Sequence, residues 1–347
     1  MLNKALIINL FIYCIVGMSW AACAQSAEPA IKPIPSGPSA PHTIFERLTV
    51  QENVKMTLAL DMTALMTQKR SRQYLSGTVT AADGKTYEVQ VRASGKFRRM
   101  KAANPPLKIK FKKKTLLSEG LDTLNNLKIV MPWFDTPTGE ELLIREYLAY
   151  KMFEQLSPNH VRGRLVRLTL QNTKGGTKKM VALLIEDEEE TAARLGGKLI
   201  TRFGIPADSL EPKQAAMSNL FQYFVGNTDW DYAMIRNVRI IETPEGILLP
   251  IPYDFDFSGY VNPPYATPSS ESGLKSVRQR YFNDAGLDKA AIRAAIKTFS
   301  DAENKLKKVC RSRLISSESQ DDLTGFLDIY YRHMKNKDMP PKIMTAE

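Results

Sequence analysis

Apolar residues recur at every second position through much of the segment from residue 43 to residue 114. This is the period of a β-strand with one buried face. Residues 75–80 and 86–92 show it on either side of the turn signal Ala82-Asp83-Gly84-Lys85, so we expect a hairpin there. At residues 107–112, apolar side chains alternate with lysines. The pattern predicts an antiparallel sheet in this third of the chain.

Beyond residue 114 the pattern becomes mainly helical. The apolar spacing predicts helices at 139–156, 188–196, 213–224, 287–298, 302–316 and 320–336. It also predicts a second hairpin at 164–185 and a short strand pair at 238–251. We therefore expect an α+β fold with a β-rich small lobe at 43–185 and a mainly helical large lobe at 186–347, with the candidate site between them.

Charge and cysteine content narrow the class of protein. The chain has 347 residues, with 48 lysines and arginines against 37 aspartates and glutamates, a net charge of +11. Such an excess favours a partner that carries negative charge. The ordinary globular composition excludes collagen, coiled coil and wholesale disorder. Three cysteines exclude a disulfide scaffold, and three histidines argue against a histidine-rich zinc site.

The N-terminus has the features of an export signal. Lys4 is the only charged residue among the first 27, and an apolar run at residues 5–18 ends in small residues. This predicts a bacterial secretory signal at 1–24, a proline-rich tether at 25–42 and a location in the periplasm or cell envelope. Cys23 would also fit a lipoprotein cleavage box, and an uncleaved membrane anchor is the alternative. Contact with a membrane is expected only through this N-terminal lipid or anchor.

Carboxylates and one amide gather around the predicted short strand pair. Asp229, Asp231 and Asn237 precede it, and Asp254 and Asp256 follow it. Mg²⁺ prefers oxygen ligands from carboxylates and amides, with phosphates supplying the rest. Phosphoryl transfer uses one aspartate to accept the hydroxyl proton, and an asparagine and another aspartate to hold metal. The alternative is that these residues are turn formers and strand-end caps.

The same stretch resembles a known family. Asp229 with Asn237, followed by Tyr253-Asp254-Phe255-Asp256, resembles the active-site elements of the CotH-type atypical protein kinases. The resemblance implies a two-lobed kinase-like domain with an antiparallel β-rich N-terminal lobe and a mainly helical C-terminal lobe.

Two earlier segments add to the resemblance. The Ser94-Gly95-Lys96 turn before residues 105–111 resembles the family's small-lobe loop and lysine-bearing strand. Residues 182–186 resemble its strand that ends in an acidic residue near the nucleotide. The similarity covers residues 85–260, about half of the chain.

The resemblance implies a role for each site residue. Asp229 would be the general base. The ligands of Mg²⁺ or Mn²⁺ would be Asn237, Asp254 and Asp256. ATP or another nucleotide would be bound by Lys108, Lys110, Glu146 and Glu186, with Glu146 orienting the lysine that holds the phosphates. Accessory positions would be Asp231 and Lys96.

Three functions are consistent with these features. The first is an exported CotH-like phosphotransferase that moves phosphate from a nucleotide–Mg²⁺ complex to a hydroxyl of a protein or envelope component. The second is a non-catalytic envelope protein that binds an anionic ligand through residues 92–114, because ten lysines or arginines and no acid lie between Val89 and Ser118. A solvated strand face is the alternative for these cations.

The third function is a metal-dependent phosphoester hydrolase that uses the same carboxylates. Nucleic acid is not an expected partner of the basic segment. Its aromatic residues are not interleaved with the cations as base stacking requires, and the chain is predicted to be exported.

Overall fold

A computed structural model describes residues 42–284 and 286–345. The predicted signal sequence, Cys23 and all of the predicted tether except His42 lie outside the described residues. Within the described part of the chain, no helix combines the length and the apolar character needed to cross a bilayer.

Seven strands form a closed barrel. They are β1 Val54–Leu60, β2 Leu75–Thr80, β3 Thr86–Ala93, β4 Leu107–Phe111, β5 Asn126–Val130, β6 Gly163–Asn172 and β7 Thr177–Ile185. Their order around the barrel is β1-β2-β3-β4-β5-β7-β6, and β1 closes it by pairing in parallel with β6. The alternation seen in the sequence places one set of side chains, including Leu58, Val91 and Ile109, in a buried interior.

The prediction of a two-lobed kinase-like fold with an antiparallel β-rich N-terminal lobe is therefore wrong, because these strands close into a barrel. The individual strands follow from local alternation, and both hairpins of the barrel are confirmed. The closure does not follow from local pattern. It depends on the parallel register from Val54↔Val166 to Leu60↔Asn172, which joins segments more than a hundred residues apart.

The helices contribute to two buried cores, the core of the barrel and a second core beside it. They are α1 Ile44–Leu48, α2 Met62–Gln68, α3 Phe97–Lys101, α4 Lys113–Ser118, α5 Pro137–Leu156, α6 Glu188–Arg194, α7 Pro212–Val225, α8 Lys289–Asp301, α9 Glu303–Cys310 and α10 Ser317–Met334. The six predicted helices are confirmed as α5 to α10, with ends shifted by several residues. Val130, Leu165 and Leu183, on the outer face of the barrel, belong to the same buried cluster as α5.

A smaller sheet positions the candidate site. It has the order β10-β9-β8, with β8 at Lys198–Ile200, β9 at Val238–Glu242 and β10 at Leu248–Pro252. Strands β9 and β10 are the predicted antiparallel pair, and Val238 lies opposite Pro252. Where β9 begins and β10 ends, the Tyr253 N–H donates to the Asn237 carbonyl at 3.1 Å. Residues before β9 and after β10 therefore meet at one end of the sheet.

The remaining strand pair lies near the C-terminus of the described chain. Strand β11, Arg280–Tyr281, pairs with β12, Ile343–Met344. Arg280 is buried here and donates to the carbonyl oxygens of Phe224 and Phe326 at 3.0 and 2.7 Å. Burial lowers the pKa of this guanidinium to about 9, because its bonds go to carbonyls and not to a carboxylate.

Candidate functional site

Three cations lie side by side on the outer face of the barrel. Arg92 is directly opposite Lys108, and Lys108 is directly opposite Lys128, so their side chains leave the same face of β3, β4 and β5. The residues next to them in sequence, such as Ile109 and Leu127, point into the buried interior. We call Arg92, Lys108 and Lys128 the basic row.

Two members of the basic row pair with carboxylates from loops outside the barrel. Lys108 Nζ lies 3.3 Å from Asp187 Oδ2, at the start of α6. Lys128 Nζ lies 3.5 Å from Asp254 Oδ2, directly after β10. Burial lowers the pKa of Lys128, but the charges of Asp254 and Glu146 outweigh burial and raise it above its ordinary value. Lys128 is therefore a fixed cation beside Asp254.

A second ion cluster lies behind this pair and is almost fully buried. Arg98 Nη1 contacts Glu146 Oε2 at 3.2 Å and Asp256 Oδ2 at 3.4 Å, and Arg98 Nη2 donates to the Met131 carbonyl at 3.0 Å. Burial raises the pKa of Asp256 well above its ordinary value and that of Glu146 to about 6, although the charge of Arg98 opposes both shifts. Arg98 Nε and Glu146 Oε1 have no hydrogen-bond partner among the described residues.

Asp229 and Asn237 form a hydrogen-bonded pair at the end of the small sheet. Asn237 Nδ2 donates to the Asp229 carbonyl at 2.6 Å and to Asp229 Oδ2 at 2.9 Å. Both partners are acceptors, which fixes the amide orientation and turns Asn237 Oδ1 away from them. Arg236 Nε lies 3.5 Å from Asp229 Oδ1. Partial burial raises the pKa of Asp229, and the charge of Asp254 adds to this while Arg236 opposes it.

The backbone is strained where these side chains are held. Seven described residues other than glycine have a positive φ, and three of them are Ile235, Asn237 and Asp254, at 46°, 52° and 64°. Ile235 is β-branched, and a β-branched residue with a positive φ is a true outlier. The Asp254 N–H donates to the Tyr150 hydroxyl at 2.8 Å, which holds the turn after β10 against α5. Strain of this kind clusters at binding and catalytic sites.

The other predicted site residues occupy different settings. Lys110 is exposed on the outer face of β4, two residues after Lys108 of the basic row. Lys96 is exposed, and its charge lowers the pKa of Asp229. Asp231 Oδ1 accepts from the Met234 N–H at 2.6 Å, which closes a local turn.

Glu186 is fully buried and saturated by structural partners. Its carboxylate accepts from Arg194 Nε at 2.7 Å, Arg162 Nε at 2.8 Å and Thr191 Oγ1 at 3.1 Å. Burial by itself would raise the pKa of Glu186, but the bonds and charges of Arg194 and Arg162 outweigh it and lower the pKa to about 2. In this structure the carboxylate oxygens of Glu186 accept the hydrogen bonds that connect the barrel to α6.

Sequence reasoning missed two important cations. Lys128 lies on β5, a strand of five residues that was not predicted, although Asn126-Leu127-Lys128-Ile129-Val130 does alternate. Arg98 was included only in the charge density of the basic segment, yet it is the residue that contacts Glu146. This short alternation could have revealed the strand, but not that Lys128 faces Asp254.

The site offers only a few oxygens that could contact a metal ion. Among residues 42–284 and 286–345, no group of three or more His, Cys, Asp or Glu side chains is placed to hold a metal ion by itself. Asp254, Asp229 and Asn237 are partly exposed, whereas Asp256 is buried against Arg98, so the accessible oxygens are those of the first three residues. Mg²⁺ typically uses one or two carboxylates and completes its shell with water and substrate phosphates.

Comparison with known proteins assigns no family. No protein-family model matches the chain, and no curated protein matches it significantly. The resemblance to CotH-type kinases therefore stays a prediction.

Proposed function

We propose that this protein is a phosphotransferase, which moves a phosphate from a nucleotide–Mg²⁺ or nucleotide–Mn²⁺ complex to a hydroxyl of a protein or envelope component. The observation that supports it best is the pairing of Lys128 with Asp254 at the sheet end that also carries Asp229 and Asn237. This combination supplies one fixed cation, two oxygen ligands and one carboxylate with a raised pKa. Phosphoryl transfer needs these parts.

Each residue has a role in the proposal. Lys128 neutralises phosphate oxygens, assisted by Lys108 from the next strand. Asp254 and Asn237 would hold the metal, which when bound neutralises charge on the phosphates. Asp229 accepts the proton of the attacking hydroxyl, and its raised pKa brings it closer to the range of an effective base at neutral pH.

The buried ion cluster positions these groups without touching the substrate. Arg98 joins α3, α5 and the loop after β10 through Glu146 and Asp256. Removing one partner of a buried ion cluster leaves an uncompensated charge and costs about 3–5 kcal/mol. We therefore expect Arg98, Glu146 and Asp256 to be positioning residues for Asp254. Export to the periplasm or cell envelope, inferred from residues 1–24, is part of the same proposal.

A second candidate is binding of an anionic envelope component without catalysis. Lys110 is exposed on β4, and Lys112, Lys113 and Lys114 that follow it are also exposed. These cations lie beside the basic row and extend the positive surface over the outside of the barrel. In this alternative the carboxylates before β9 and after β10 would serve only as structural partners of the cations.

Nucleotide binding tests the proposal. The chain is unfolded thermally with and without ATP and Mn²⁺, together with Asp254→Ala, Lys128→Met and the exposed control Lys110→Met. At a ligand concentration ten times the dissociation constant, stabilisation is about 1.4 kcal/mol, which raises the Tm by about 2–3 °C. We expect this increase in the unaltered chain and in Lys110→Met, and its loss in the other two variants.

Two results would contradict the proposal. One is no increase in Tm at millimolar ATP and metal while the chain is folded. The other is an increase that survives Asp254→Ala, because the ligand would then bind elsewhere. Release of inorganic phosphate from ATP without transfer to any acceptor would favour the hydrolase instead.

A further inference from the structure

Two large apolar side chains are exposed next to the candidate site. Phe203 and Met234 are 68% and 59% exposed. Phe203 lies in the loop after β8, and Met234 lies in the turn between Asp229 and β9. The Gly204 N–H donates to the Ala233 carbonyl at 2.8 Å, so the two loops are bonded together at positions adjacent to both side chains.

This surface borders the carboxyl that would accept the proton. Met234 lies in the turn closed by the backbone pair Asp231–Arg236, with bonds of 3.0 and 2.9 Å. Arg236 in turn contacts Asp229 through its side chain. On the other side, β8 runs alongside β9 with Ile200 opposite Ile240, so the chain that continues to Phe203 approaches the end of β9 where Asn237 lies.

The surroundings of the two apolar residues are basic. Arg202 is exposed directly before Phe203, and Arg236 is exposed two residues after Met234. Lys96, between β3 and α3, is also exposed, and its charge lowers the pKa of Asp229. The one acid inside the Met234 turn, Asp231, uses its carboxylate to accept from the Met234 N–H. A bound partner would therefore meet apolar surface flanked by cations.

We propose that Phe203 and Met234, with Arg202 and Arg236, form the docking surface for the phosphate acceptor, an extended polypeptide with an apolar residue and acidic residues around its serine or threonine. This inference rests on the proposed function. A polypeptide is favoured over a lipid surface because the apolar surface has only two residues and adjoins the proposed base. An apolar surface of this size suits one or two side chains of a partner chain.

Peptide binding in the absence of nucleotide tests the docking surface directly. The probe is a fluorescein-labelled peptide in which one serine is flanked by glutamates and one leucine, and the control peptide has lysines in place of the glutamates. Binding to the chain is measured by fluorescence anisotropy. The test variant is Phe203→Ser with Met234→Ser. The matched control is Val50→Ser with Leu117→Ser, whose side chains are similarly exposed, at 66% and 60%.

We expect the test variant to weaken binding of the acidic peptide about tenfold, the effect of losing one well-buried apolar contact. The matched control should bind as the unaltered chain does, and the lysine peptide should bind weakly to all. Equal binding by the test variant, or preference for the lysine peptide, would overturn the inference. A third result would also overturn it: the unaltered chain binds anionic phospholipid vesicles and not the peptide, and the test variant loses the vesicle binding.

The same variants separate this inference from the proposed function. Asp254→Ala should keep peptide binding while losing stabilisation by ATP and Mn²⁺. Phe203→Ser with Met234→Ser should keep that stabilisation while losing peptide binding. A chain that binds the peptide through Phe203 and Met234 but shows no nucleotide effect would refute the phosphotransferase and leave a peptide-binding protein.

Discussion

Glu190 offers a sharp test of the electrostatics around the first turn of α6. It is 1% exposed, and its Oε1 accepts from Thr43 Oγ1 at 2.5 Å and from Arg162 Nη2 at 3.2 Å. Its Oε2 has no hydrogen-bond partner among the described residues. Burial raises the pKa of Glu190 to about 7; the charge of Glu186 adds to this, while the bond from Thr43 and the charge of Arg162 oppose it.

The sign and size of the effect follow from linkage. Below pH 4.5 the carboxyl is protonated in both the folded and the unfolded chain. As the pH rises from 4.5 to about 7, the unfolded chain loses this proton while the folded chain keeps it, so the free energy of unfolding falls. At about 1.4 kcal/mol for each tenfold change in proton affinity, the loss reaches about 3 kcal/mol above pH 7.

Glu190→Gln removes this titration, because the amide resembles the protonated acid. We expect the variant to be close to the unaltered chain in stability near pH 5 and more stable by up to about 3 kcal/mol near pH 8.5. Urea unfolding at the two pH values measures the difference. Glu189→Gln, an exposed residue on the same helix, is the matched control. A variant less stable by the same amount at both pH values would show that Glu190 is an ordinary ion-pair partner of Arg162.

Three further predictions concern stability. Glu186 has a pKa lowered to about 2, so Glu186→Gln should destabilise the chain by about 3 kcal/mol at pH 7, and urea unfolding should show this deficit shrinking as the pH falls from 4.5 towards 2. Gly259→Ala should cost about 3 kcal/mol or more, because the added Cβ would lie 2.0 Å from the Val277 carbonyl oxygen. Gly325→Ala, inside α10 with open space around it, should raise stability by about 0.5–1 kcal/mol in the same denaturation series.

Local features of the fold were predictable from sequence, and long-range ones were not. The hairpin of β2 and β3 follows from alternation around a turn that contains Gly84, whose φ is +85°. The parallel pairing of β1 with β6 leaves no local trace, because both strands show the same alternation whichever neighbour they have. A kinase-like lobe and a closed barrel therefore share much of their strand pattern, and only the pairing separates them.

The candidate site likewise has residues that could be predicted from the sequence and one that could not. Asp229, Asn237 and Asp254 could be grouped from sequence, because a short antiparallel pair returns the chain to its starting end. The cation that faces Asp254 could not be identified from the sequence, because its identity depends on which strand lies beside β4. Lys108 was expected at the site from the family resemblance, but the register pairs Asp254 with Lys128 and leaves Lys108 with Asp187.

The pairing of Lys108 with Asp187 and of Lys128 with Asp254 affects how the nucleotide experiment is interpreted. Lys108 and Lys128 are directly opposite each other, and like charges in this position destabilise a sheet. Asp187 and Asp254 each offset one of them, so Asp254→Ala leaves Lys128 beside Lys108 without its carboxylate partner. A lower Tm of Asp254→Ala without ligand is thus expected from the barrel alone and says nothing about nucleotide. Only the difference in Tm caused by ATP and Mn²⁺ within each variant reports on binding. Lys128→Met removes the like-charge contact but leaves the Asp254 carboxylate without its cation, so its Tm without ligand is likewise the reference for that variant.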